Sequence, residues 1–184
     1  MSFFSTRGGA CATTSQAILW GLAKDGGLFV PSMFPKIPLD RLTLLVGQSY
    51  QEQAARVLRD YMEDYSIAEI EEAVNAAYTA DAWDATEIAP VHTLNEDTYV
   101  LELFHGPTLA FKDIALKLLP HMIRQAAKKN DEQREVSILV ATSGDTQGRP
   151  GGLQGCARHQ LLRVLPPWRC EPCAGIADGH HRRR

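Results

Sequence analysis

The sequence predicts an α/β protein: a small N-terminal α+β domain followed by the beginning of a doubly wound α/β domain. Three observations predict it. Hydrophobic residues make up 45% and charged residues 22% of the 184, an ordinary globular composition with chain enough for one domain and part of a second. Helical apolar spacing dominates between Gln48 and Ala77, behind a stretch rich in Gly and Pro. From Thr98 onward the order is strand, helix, strand and glycine loop, which is how a doubly wound sheet opens.

In chain order, residues to about Pro38 read as irregular structure with short strands. The best strand there is Leu28-Phe29-Val30, opened by Gly26-Gly27 and closed by Pro31. From Gln48 to about Met62 the spacing predicts a helix with Ala54, Ala55, Leu58 and Tyr61-Met62 on one face. Ser66 and Glu69 form a capping box that starts a second helix through Ile67, Ile70, Val74 and Ala77. The N-terminal domain is expected to cover residues 1–84. Thr98 to Phe104 reads as a strand turned by His105-Gly106-Pro107, and Lys112 to Lys129 as a helix kinked or broken at Pro120. Val136 to Ala141 is an apolar run of buried-strand type, leading directly into Thr142-Ser143-Gly144-Asp145-Thr146. Residues 85–146 are thus expected to begin the second domain.

Two loops carry chemistry. Gly106-Pro107-Thr108-Leu109-Ala110-Phe111-Lys112-Asp113 puts a lysine at the first turn of a helix, behind an aromatic residue. An amine that attacks an aldehyde must be neutral, and partial burial beside a helix N-terminus favours the neutral form. On local chemistry alone, a solvated helix lysine is the commoner case, and Asp113 reads equally as a plain first-turn acid. The second loop, Ser143-Gly144-Asp145-Thr146, sits at a strand end, where α/β folds bind ligands through glycine backbone and hydroxyls. Its competing reading is an N-cap ahead of the next helix. Cys170-Glu171-Pro172-Cys173 with His180 and His181 does not have a standard zinc spacing, so no metal is expected. Cys11 stands alone, and His105 is either a site residue or a turn histidine.

Three stretches resemble the threonine synthase family: DGGLFVP at Asp25–Pro31, ELFHGPTLAFKDIAL at Glu102–Leu116 and ATSGDT at Ala141–Thr146. Their order and spacing fit the family across residues 1–146. The resemblance implies a fold-type II enzyme with pyridoxal 5′-phosphate (PLP) bound covalently to Lys112, and with Phe111 placing the lysine by packing. It also implies Ser143, Gly144, Asp145 and Thr146 near the cofactor ring and substrate. The implied reaction converts O-phospho-L-homoserine and water to L-threonine and phosphate, with Lys112 moving protons between substrate carbons. Vertebrate threonine synthase-like phospho-lyases share these motifs, so a different phosphorylated amino acid is the alternative substrate. A small non-enzymatic α/β binding module with a metal-binding tail is the alternative of another class.

The resemblance stops after Thr146. Residues 1–146 hold 12 Lys+Arg against 20 Asp+Glu, whereas residues 147–184 hold 7 Arg, no Lys and 2 acids, with three of the four cysteines. Where the family continues with glycine and a helix, this chain has Gln147-Gly148-Arg149-Pro150. If each tail codon is read from its second base, allowed codons give KAALEGFKDVPGI from Gln147 and YPPGGVSPVQELQMVTTEGG from Leu165. Both stretches again resemble threonine synthase, in the right order. Residues 147–184 are therefore expected to be a frameshifted, disordered tail, and the chain a truncated fragment that makes no threonine. The N-terminus has no continuous apolar signal region, there is no apolar run of bilayer length, and the net charge is -3. The expectation is a cytoplasmic chain that engages a small molecule rather than nucleic acid or membrane.

Overall fold

The structure, a computed structural model, describes residues 1–134 and the backbone of two further strands, 136–141 and 159–164. A three-stranded antiparallel sheet opens it: β1 (Phe3–Ser5) lies between β2 (Cys11–Ala12) and β3 (Phe29–Pro31). Asp25 ties the two loops beside this sheet together. Its carboxylate accepts from the Ser5 hydroxyl at 2.7 Å, Gly27 N–H at 2.9 Å and Gly9 N–H at 3.1 Å. These bonds, the one from Ser5 first, hold its pKa below the usual carboxylate range.

The described residues form five α-helices, the first of them between β2 and β3: α1 (Thr14–Trp20), α2 (Leu39–Thr43), α3 (Tyr50–Arg59), α4 (Ile67–Ala77) and α5 (Asp113–Lys129). α1 lies inside the stretch expected to be irregular. Its signal is a capping box, Thr13 with Gln16, and a left-handed Gly21 stops it after seven residues. α3 starts from a second such box, Ser49 with Glu52, and ends at Arg59, earlier than the apolar spacing suggested. α4 starts from the Ser66–Glu69 box, as expected. Its Ile70, Ala73, Val74 and Ala77 form the centre of the core, with Tyr65, Tyr78, Trp83, Ile88 and Met122.

Of the kink or break expected at Pro120, the break does not occur: α5 runs on through Pro120, which is buried and cannot donate to the Leu116 carbonyl. Tertiary anchors on both sides hold the helix: the Tyr78 hydroxyl donates to Ile114 O at 2.9 Å, Tyr65 to Met122 O at 3.3 Å and the Gln125 amide to Glu69 O at 2.8 Å. α5 therefore shares one core with α3 and α4, across residue 84.

A hairpin, β4 (Val91–Asn95) with β5 (Thr98–Leu101), leads towards α5. The expected strand to Phe104 ends at Leu101 because its ladder with β4 runs out there, and β4 itself was not expected. β6 (Val136–Ala141) is present as expected and pairs in parallel with β7 (His159–Val164), in register Val136 to His159. Apart from the β7 backbone, the expected aberrant tail lies outside the described residues.

Candidate active site

The segment between β5 and α5 is built by three local devices. At its start His105 is clamped between two carboxylates. Its Nδ1 lies 2.6 Å from Asp84 Oδ1 and its Nε2 2.8 Å from Glu102 Oε2. Asp84 N–H also donates to His105 O at 3.0 Å. The bond to Glu102, aided by that to Asp84, favours the imidazolium and raises the histidine pKa above its ordinary value. The side chain is 15% exposed, which fits a structural clamp and does not place it on a reacting atom.

Next, Gly106 is pressed against its surroundings. A Cβ there would stand 2.6 Å from both the Cβ and Oδ2 of Asp113 and 2.9 Å from the Trp83 ring. Only glycine lets the loop lie this close. The chain then turns with Leu109 N–H donating to Gly106 O at 3.1 Å, Leu109 being left-handed at φ 59°. A non-glycine residue in that region carries a strain of about 1 kcal/mol.

Last, Asp113 closes the loop. It is 1% exposed. Its Oδ2 accepts from Thr108 N–H at 2.8 Å and its Oδ1 from the Thr108 hydroxyl at 2.7 Å. Lys112 sits at the N-cap of α5 in helical conformation, half-buried. Its Nζ is 5.9 Å from the centroid of the Phe111 ring. Phe111 is 63% exposed, so the packing role expected of it is confined to its own neighbour, Lys112.

The structure thus brings Lys112 and Phe111 together at one loop–helix junction. Ser143, Gly144, Asp145 and Thr146 lie outside the described residues, as do Cys170, Cys173, His180 and His181. Cys11 is an exposed free thiol. Sequence reasoning missed Thr108 and the Asp84 and Glu102 partners of His105, and left Asp113 as a plain acid. The Thr108–Asp113 separation of five is no helical spacing, and Asp84 is 21 residues from His105.

The sequence and the fold match known proteins. Residues 2–78 match the family described as "Threonine synthase N terminus". The threonine synthase of Pseudomonas aeruginosa is 42% identical over 167 residues, covering 90% of this chain and 34% of that one. Human threonine synthase-like 1 is 42% identical over 135 residues, covering 72% of this chain and 18% of that one. The crystal structure of PLP-bound threonine synthase from Brucella melitensis superposes with a TM-score of 0.82 at 35% identity, over 94% of this chain and 37% of that one. The chain spans about a third of the length of the threonine synthases it matches. Residues 2–78 are thus a threonine synthase N-terminal domain, and the chain is similar in sequence and fold to the N-terminal third of threonine synthases.

Proposed function

We propose that this chain is the N-terminal part of an enzyme that converts O-phospho-L-homoserine and water to L-threonine and phosphate, with PLP carried on Lys112. The observation that carries the reading is the position of Lys112: a half-buried lysine at a helix N-cap, in a loop tied at both ends by buried or clamped side chains. The residues present fit the aldehyde end of the cofactor. They supply a primary amine on a fixed backbone, beside exposed apolar surface at Leu109 and Phe111. Ser143, Gly144, Asp145 and Thr146 are proposed to meet the ring and substrate.

When bound, PLP supplies an electron sink for charge that develops on substrate carbons. The protein residues do the rest. Lys112 Nζ first acts as nucleophile in its neutral form, then as base and acid, taking a proton from one substrate carbon and returning it to another. Asp113 and His105 hold the loop and touch no reacting atom.

A second reading, a threonine synthase-like phospho-lyase acting on another phosphorylated amino acid, is favoured by the match to human threonine synthase-like 1. No helix among the described residues is long and apolar enough to cross a membrane, and a cytoplasmic site of action is proposed. The 184-residue chain, covering a third of its relatives, is proposed to be inactive alone. The test is phosphate release from O-phospho-L-homoserine by a chain in the restored reading frame, with Lys112→Ala beside it. Release that Lys112→Ala abolishes supports the proposal. Release that survives Lys112→Ala, or none except with another phosphorylated amino acid, overturns it.

A further inference from the structure

We infer that Asp113 and Thr108 are positioning residues for Lys112, their hydrogen bonds closing the stretch of backbone that carries it. The inference rests on the reading of Lys112 as the cofactor lysine. α1, α3 and α4 are each capped by a Ser or Thr at the N-cap and a Glu or Gln three residues on. α5 is built differently. Its N-cap residue is Lys112, which makes no side-chain cap. The first amides of α5 are taken by carbonyls of the loop itself: Asp113 N–H by Ala110 O at 3.0 Å, Ile114 N–H by Phe111 O at 3.3 Å and Ala115 N–H by Lys112 O at 3.1 Å.

The Asp113 carboxylate is therefore not serving the helix amides. Both of its oxygens reach back to Thr108, one to the amide and one to the hydroxyl. At 1% exposure it is among the most buried side chains described, and the Gly106 backbone and Trp83 ring wall it in. A buried carboxylate held this way does not drift, because breaking either bond would leave a buried acceptor unsatisfied. Lys112 is joined to it by one peptide unit, so the lysine Cα is fixed to the same anchor. The hydrogen-bonded loop fixes the backbone from which the Lys112 side chain starts, which limits where its amine can reach, as a reaction at a defined carbon needs.

The test uses the 184-residue chain and pyridoxal 5′-phosphate as probe. The protein is incubated with the aldehyde, reduced with borohydride, and the label located by mass spectrometry. Lys117 and Lys128 of the same molecule serve as internal references. Label at Lys112 in preference to both is expected, and Thr108→Val and Asp113→Asn should each reduce that preference by about tenfold. Thr108→Ser, which keeps the hydroxyl, should retain it. A role confined to folding would lower labelling or thermal midpoint without changing the ratio between lysines. Preference kept in Thr108→Val and Asp113→Asn overturns the inference while leaving the cofactor reading standing. No preference in the unaltered chain overturns the cofactor reading, and the positioning role with it.

Discussion

At the scale of single residues, the loop ahead of Lys112 depends on close approach and on paired charge. Gly106→Ala would push a methyl group to within 2.6 Å of the Asp113 side chain and 2.9 Å of the Trp83 ring. Both neighbours are buried and cannot swing away, so overpacking should destabilise the chain by about 1–3 kcal/mol. Denaturant midpoints of the two proteins check this, and equal midpoints would refute it. His105 makes a pH-dependent contribution. Its pKa is raised in the folded chain by Glu102 and Asp84, so folding favours the protonated form. The stabilisation is full below the ordinary histidine value of about 6.5 and is lost as pH rises through the raised folded value. The thermal-midpoint advantage of the unaltered chain over His105→Gln should therefore be largest near pH 5.5 and shrink towards pH 9. Parallel curves would show that the clamp carries no charge. Of this site, the sequence made Lys112 and Phe111 visible through the HGPTLAFKD stretch. It could not show which acids meet His105, because Asp84 comes from a distant turn, nor that Asp113 faces Thr108 instead of solvent.

At the scale of elements, three helices start from the same device. Ser66→Ala and Ser49→Ala each remove a hydroxyl that accepts from the third residue of its helix, worth about 1 kcal/mol. The loss at Ser66 should be the larger in global unfolding, since α4 carries Ile70 and Val74 at the centre of the core whereas α3 buries only Ala55 fully. Urea unfolding of both variants reads this directly; an equal or reversed order would mean that α3 and α4 do not differ as core elements. The same boxes explain how much of the fold was legible. Ser66–Glu69 announced α4 because a clear apolar period follows it. Thr13–Gln16 opens a helix of only seven residues among glycines and was overlooked. β4, written VHTLN, is exposed along its whole length and so lacks the in–out alternation that marks a strand. Pro120 signalled a kink or a break, and the break does not occur, because Tyr65, Tyr78 and Gln125 hold α5 on both sides of it. Local rules failed here where tertiary contacts outweighed them.

At the scale of the whole molecule, the described part exposes more apolar surface than a finished domain would. The hairpin β4–β5 is open to solvent throughout, with Val91, Leu94, Tyr99 and Leu101 each more than half exposed. A two-stranded hairpin bare on both faces is marginal alone and invites edge pairing. The purified chain should therefore self-associate in sedimentation, and Leu94→Lys with Leu101→Lys should reduce that association; a monodisperse unaltered chain would contradict it. The tail bears on the same incompleteness. Its abrupt switch to arginine, cysteine and glycine after Thr146 has no counterpart in the fold that precedes it, and one shift of frame turns it back into the family pattern. Two bases restored ahead of codon 147 would also supply the glycine that the family places after Thr146. Across His159–Val164 the shifted codons permit a run such as INFFVF, so a parallel strand beside β6 is compatible with either frame. The strand cannot decide between them, but the gene can. Sequencing across codon 146 is expected to find bases missing or added, and a chain expressed in the repaired frame should lose the self-association and take up PLP at Lys112. An intact frame, with tail peptides containing Cys170 and Cys173 recovered from cells, would make the tail a genuine part of the protein. The metal-binding reading of those cysteines would then be tested by zinc content.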